Sequence, residues 1–190
     1  MLPGMSGYET CTSIRESGNA IPILVLSART LSEDKAHAFA CGTDQYMTKP
    51  FALPELLSRV RNLLERRTPL SDSASVPENE NENEEQFEFA DIRVDFRQFE
   101  VTVDATVHQL TTMEMQLLRS FIKHEGAVLS RAQMMEDVWG LSPDVTSRTI
   151  DNFVMRLRRV IETNPAEPRR LVSVRGTGYR FVANPDASEE

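Results

Sequence analysis

Apolar residues at Leu53, Leu56, Leu57, Val60, Leu63 and Leu64 recur with the period of an α-helix, which predicts one helix over Leu53–Arg67. A different pattern precedes it. Ile21–Ala28 reads IPILVLSA, a continuous apolar run of the kind found in parallel strands buried on both faces. Ahead of that run, the turn-rich Leu-Pro-Gly-Met-Ser-Gly gives way to an amphipathic segment from Tyr8 to Glu16. Ser32–Cys41 reads as a helix with Gly42 at its C-terminal cap, and Gln45–Thr48 as a short strand ending at Lys49-Pro50. This alternation of helix and strand predicts parallel strands joined by crossover helices.

A second module has a different rhythm. Short alternating segments from Phe87 to Leu110, punctuated by turns, predict an antiparallel sheet. Thr111-Thr112-Met113-Glu114 is a capping box opening a helix whose apolar face holds Leu117, Leu118, Phe121 and Ile122, with Gly126 closing it. Ser130-Arg131-Ala132-Gln133 opens another, carrying Met134, Val138 and Trp139. After a loop over Gly140–Ser147, a third helix runs from about Arg148 to Glu162, with Ile150, Phe153, Val154, Leu157 and Ile161 facing inward. Leu171–Val174 and Tyr179–Val182 then pair as a hairpin across Arg175-Gly176-Thr177-Gly178. Three helices followed by a β-hairpin make a winged helix-turn-helix. The fold class expected is thus an α/β unit followed by an α+β winged-helix unit.

Composition separates these modules. Thr68–Gln86 is almost wholly Ser, Pro, Asn and Glu, too polar to offset the entropy of ordering, and reads as a flexible acidic linker. The expected division is 1–67, linker 68–86, second module 87–185 and an acidic tail 186–190. Net charge is -8 over 190 residues, but the linker contributes -6 and the tail -3. Within 148–180, eight arginines face three acids, a basic patch of the sort that a phosphate backbone attracts. Two cysteines, Cys11 and Cys41, make no disulfide framework and fit a reducing cytoplasm. No apolar run spans a bilayer and no signal peptide is visible. His37, His108 and His124 lack metal-ligand spacing, and no nucleophile–base pair or phosphate-cradling loop points to an enzyme.

Side chains off the apolar stripe of the third helix are Arg148, Thr149, Asp151, Asn152, Met155, Arg156 and Arg159, and these are candidates for a major groove. Arg156 and Asn152 are types that read base edges, toward guanine and adenine respectively. Arg148, Thr149, Arg158 and Arg159 suit phosphates. Met155 suits the methyl group of a thymine. A plain amphipathic helix with a solvated basic side has the same periodicity.

The residues also carry a resemblance. Val138-Trp139-Gly140, Thr149-Ile150-Asp151, Arg156-Leu157-Arg158-Arg159 and the run from Val174 to Phe181 resemble the effector domain of OmpR/PhoB-type response regulators over nearly all of 87–183. Met1-Leu2-Pro3-Gly4, Ser27-Ala28-Arg29, and Gly42-Thr43-Asp44 through Tyr46 to Lys49-Pro50-Phe51 resemble the second half of a two-component receiver. The resemblance implies DNA contact by Arg175 in the minor groove, with Ser173, Thr177 and Tyr179 near the backbone and the Trp139 indole reaching a phosphate from a mostly buried ring. It implies a phosphate switch at Ser27, Tyr46 and Lys49, and a dimer face at Lys35, Asp44, Glu55 and Arg59. It also implies RNA polymerase contact through 140–147 and dimers on direct-repeat promoter sites.

One departure stands out. In the family the phosphoacceptor aspartate lies two residues before the position matching Met1, and the acidic pair binding magnesium lies earlier. Neither has a counterpart here. The chain as written is therefore expected not to accept phosphate. Magnesium and a sensor histidine kinase enter only with a longer receiver, and Met1 matches an internal position of the family. An edge fragment of a parallel sheet is also expected to lack any way of burying itself. The functional expectation is a cytoplasmic, sequence-specific transcriptional regulator. The alternative is a non-phosphorylatable interaction protein that pairs with an intact regulator and titrates it.

Overall fold

A computed structural model describes residues 4–65, 86–140 and 146–185. The first unit holds α1 (Gly7–Glu16), β1 (Leu24–Ser27), α2 (Ser32–Ala40), β2 (Gln45–Thr48) and α3 (Leu53–Glu65). β1 and β2 pair in parallel, with Leu24 opposite Gln45 and Ser27 opposite Thr48. Ser6 opens α1 with a capping box to Glu9, satisfying two of the amides that a helix start leaves orphaned. The expected doubly buried run over Ile21–Leu26 is corrected. Strand structure begins only at Leu24, and Ile21 and Leu26 remain exposed because β1 has a strand on one side alone. The stripe on α3 is likewise open. Leu53, Leu57, Val60 and Leu64 are exposed and Leu63 is buried.

The second unit begins with a four-stranded antiparallel sheet, β3 (Gln86–Phe89), β4 (Ile92–Asp95), β5 (Glu100–Val103) and β6 (Thr106–Gln109), in sequential order. Asp104 and Ala105 join β5 to β6 and both have positive φ, as a tight two-residue hairpin turn demands. Then follow α4 (Thr112–Lys123), β7 (Val128–Ser130), α5 (Arg131–Trp139), α6 (Ser147–Ile161), β8 (Leu171–Val174) and β9 (Gly178–Phe181). The capping boxes at Thr111 and Ser130 form as expected. β7 is an addition to the sequence reading. It pairs with β9 and seats the hairpin against the helices, in the order β7-β9-β8. Gly178 makes that approach possible, since a Cβ there would lie within van der Waals overlap of the Leu129 carbonyl.

The core does not stop at the boundary between units. Ala38, Phe39 and Tyr46 of the first join Met113, Leu117, Val138, Trp139, Ile150, Phe153 and Phe181 of the second in one contiguous cluster. The expectation that the first unit could not bury itself is thereby overturned: it buries α2 against α6. Ala38 and Phe39 of α2 are fully buried, and the Phe39 ring packs 6.3 Å from that of Phe153. Among the described residues, no helix is long and apolar enough to cross a membrane.

Candidate nucleic-acid interface

Helix α6 is held by a buried stripe of Ile150, Phe153, Val154, Leu157 and Ile161, all at most 1% exposed. Its remaining faces carry the candidate DNA contacts, and the structure sorts these into three groups.

Arg148, Met155 and Arg159 are exposed on α6, with Met155 at 53%. Arg175 and Thr177 are exposed in the turn between β8 and β9, and Ser173 is exposed on β8. All six are exposed, and three of them, Arg148, Arg159 and Arg175, are basic.

A second group is tied to the protein itself. Thr149 is fully buried, and its Oγ1 accepts from the Thr146 amide at 3.2 Å, so its hydroxyl serves the start of α6 rather than an open face. Asp151 Oδ1 accepts from Arg131 Nε (2.9 Å) and from the Tyr179 hydroxyl (2.7 Å). Burial and that carboxylate push the Tyr179 phenol up from its ordinary pKa. Arg158 donates to the Leu171 carbonyl and to Ser173 Oγ (2.9 Å), clamping α6 to β8. Arg131 was missed in the sequence. A basic residue at the first position of α5 was the available signal, but nothing local pointed it at Asp151.

The third group is turned away from solvent, and two of its three members bond to the first unit. Asn152 Nδ2 donates to the Ala36 carbonyl of α2 at 3.4 Å. Arg156 is only 19% exposed. It pairs through Nε with Glu114 Oε1 at 3.0 Å, and its guanidinium lies 4.0 Å from the centre of the Phe153 ring. Both residues expected to read bases are therefore turned into the protein. The Trp139 ring is buried as expected, but its indole N–H donates to the Asp44 carbonyl at 3.2 Å, which corrects the expected phosphate contact. For Asn152 and Trp139 the physical reason is the first unit itself, whose Ala36 and Asp44 carbonyls take their donors, whereas Arg156 is held within the second unit by Glu114.

Asp44 is the electrostatic centre of this junction. It is fully buried, its Oδ2 accepts from Arg15 Nη2 and from the Ile23 amide (both 2.8 Å), and burial raises its carboxyl pKa to about 6 against the opposing pull of Arg15. It cannot belong to an exposed dimer face, which corrects that expectation. Arg59 is also turned inward, donating to Gln45 Oε1 and pairing with Glu55. Glu55 is exposed and Lys35 half-buried. Tyr46 is fully buried with its hydroxyl donating to the Arg29 carbonyl (2.9 Å), Ser27 Oγ accepts from the Arg29 amide (3.1 Å), and Lys49 is exposed. Among the described residues no three His, Cys, Asp or Glu side chains come together to hold a metal ion. Residues 68–85 of the expected linker, 141–145 of the loop expected to touch RNA polymerase, and the tail 186–190 lie outside the described residues.

Comparison with known proteins agrees with this layout. Residues 105–181 match the family described as "Transcriptional regulatory protein, C terminal", and residues 1–61 match "Response regulator receiver domain". The chain is 38% identical to the transcriptional regulatory protein YvrH of Bacillus subtilis over 98% of this chain and 75% of that one. It is 37% identical to the response regulator MprA of Mycobacterium avium, over 97% and 77%. Among solved structures, the response regulator DrrB of Thermotoga maritima, an OmpR/PhoB homolog, is 30% identical over 96% of this chain and 76% of that chain, with a TM-score of 0.47.

Proposed function

We propose, from the premise that this chain belongs to the OmpR/PhoB family of two-component response regulators and is a DNA-binding regulator of transcription, that α6 and the β8–β9 turn recognise specific duplex sequences and that α2 restrains them. The observation carrying this reading is the division of α6. Arg148, Met155 and Arg159 are free to meet DNA, while Asn152 and Arg156 are held by Ala36 and Glu114. Phosphates are engaged first by Arg148 and Arg159, with Arg175 entering the minor groove. Base reading by Asn152 requires α2 to leave α6, and base reading by Arg156 requires its release from Glu114. The docked form is then the weak binder and the undocked form the specific one.

In this reading 87–185 is the binding domain, 1–67 its restraint, 68–86 the tether and 186–190 a tail. Partners are direct-repeat promoter DNA, RNA polymerase through 140–147, and a second receiver, all in the cytoplasm. In this reading the docking of α2 on α6 governs access to DNA, and the reading assigns no catalysis. A second reading, pairing with an intact regulator, draws on the exposed face of Leu53, Leu57, Val60 and Leu64 on α3; co-purification with a full-length partner tests it. For the main reading, the chain is used to enrich random duplexes, and the winners are footprinted over a salt series. A recurrent motif, with affinity falling steeply as salt rises, is expected. Recovery of DNA no different from the starting pool would overturn it.

A further inference from the structure

Helices α1 and α2 lie side by side, and two contacts fix how their faces meet. The Tyr8 ring meets the His37 ring edge-on, with centres 4.6 Å apart, and Arg15 Nε donates to the Gly42 carbonyl at 2.9 Å. Tyr8, Cys11 and Arg15 share one face of α1 at helical spacing. On the other side, Cys41 follows His37 by one turn and directly precedes Gly42. Cys11 and Cys41 therefore fall in the interval between the two contacts, one on each helix. Cys41 Sγ lies 3.8 Å from His37 Nε2. Cys11 is buried and Cys41 half-buried, and both are free thiols. Burial pushes the Cys11 thiol up, and Cys41 is the strongest charge influence upon it, which agrees with their proximity.

We propose that Cys11 and Cys41 form a peroxide-oxidisable thiol pair that closes to a disulfide between α1 and the C-terminal end of α2. Neither the receiver nor the DNA-binding reading calls for such a site. Disulfides in reducing compartments are mostly transient and redox-sensing, which is the role open to a pair like this one. Cys41, the thiol that solvent reaches, reacts first. It loses its proton to His37 and its sulfur attacks hydrogen peroxide. An S–O bond forms as the O–O bond breaks, and hydroxide leaves and is protonated to water. The Cys11 sulfur then attacks the Cys41 sulfenic acid. The S–S bond forms, the S–O bond breaks, and a second water departs with the Cys11 proton. Peroxide is the two-electron oxidant, and the protein ends two hydrogens lighter. The bond anchors the end of the helix whose Phe39 packs on α6.

The test uses the whole chain. After treatment with hydrogen peroxide in modest excess, remaining thiols are capped with iodoacetamide, and the protein is digested with trypsin without reductant and sequenced by mass spectrometry. Methionine oxidation does not interfere, because the readout is a cross-linked peptide pair. The expected product joins residues 1–15 to residues 36–59, since the Lys49-Pro50 bond resists trypsin, and it separates on reduction. In Cys41→Ser, Cys11 is expected to stay fully alkylated after the same treatment. The proposal is overturned if Cys41 is driven only to sulfinic acid or cross-linked only to another copy, with Cys11 still capped. Equal oxidation of Cys11 in Cys41→Ser would also overturn it.

Discussion

Replacing Phe39 with alanine attacks the seam between α2 and α6 without touching any residue offered to DNA. The Phe39 ring is fully buried and lies 6.3 Å from Phe153, within one cluster that also holds Ala38 and Tyr46. Truncating a buried phenylalanine to alanine costs about 3–5 kcal/mol. Phe39 serves both its own unit and the seam, so roughly half of that, about 2 kcal/mol, falls on docking. Each ~1.4 kcal/mol is a factor of ten, so the docked form loses about 30-fold against the undocked one. If the docked form dominates and binds poorly, apparent DNA affinity rises by up to the same factor, because it is scaled by the population of the competent form. The assay is a fluorescence-anisotropy titration of an enriched duplex at fixed salt, with circular dichroism confirming that helix content is kept. Unchanged or weaker binding by a folded Phe39→Ala protein would refute the reasoning.

The remaining predictions concern other links in the account. Arg159→Ala should weaken all DNA sequences alike and reduce the salt slope by about 1, whereas Arg156→Ala should relax preference at one base pair; both are read from binding isotherms across salt and single-base variants. The Asp44 carboxyl has a folded pKa of about 6, above its ordinary 3.8, so the folded state holds a proton that the unfolded chain releases between these values. Stability contributed by this group is therefore greatest below about pH 4 and falls as pH rises through 6, by about 3 kcal/mol. Urea denaturation of the protein and of Asp44→Asn should show the difference between them changing by that amount across this window, and a flat difference would exclude it. Gly178→Ala should cost about 3 kcal/mol or more, seen as a lowered melting temperature, because the added Cβ meets the Leu129 backbone. Ala105→Gly should gain up to about 1 kcal/mol at its positive-φ turn position, on the same thermal assay.

Much of this molecule was readable where the signal is local. The capping boxes at Thr111 and Ser130, the stripe of α6 and the hairpin around Gly176 each declare themselves within a few residues, since hydrogen bonding and helical period act over that range. β7 escaped because three residues, Val128–Ser130, are too few to show alternation. What sequence could not give was the burial of Asn152, Arg156 and Trp139. Their partners Ala36, Glu114 and Asp44 lie tens of residues away, and no periodicity encodes such pairings. Asp44 was misplaced for a related reason: a charged residue is usually exposed, and Arg15, its partner, gave no sign of its role beforehand.

Hydrogen–deuterium exchange of α2 with and without a bound duplex tests the central claim most directly, because it reports whether the covering helix leaves when DNA occupies α6. The account predicts that amides of Ser32–Ala40 exchange faster in the complex while those of Ser147–Ile161 become more protected. Protection of α2 unchanged or increased in a saturated complex would mean that DNA binds with the seam intact, and would contradict it.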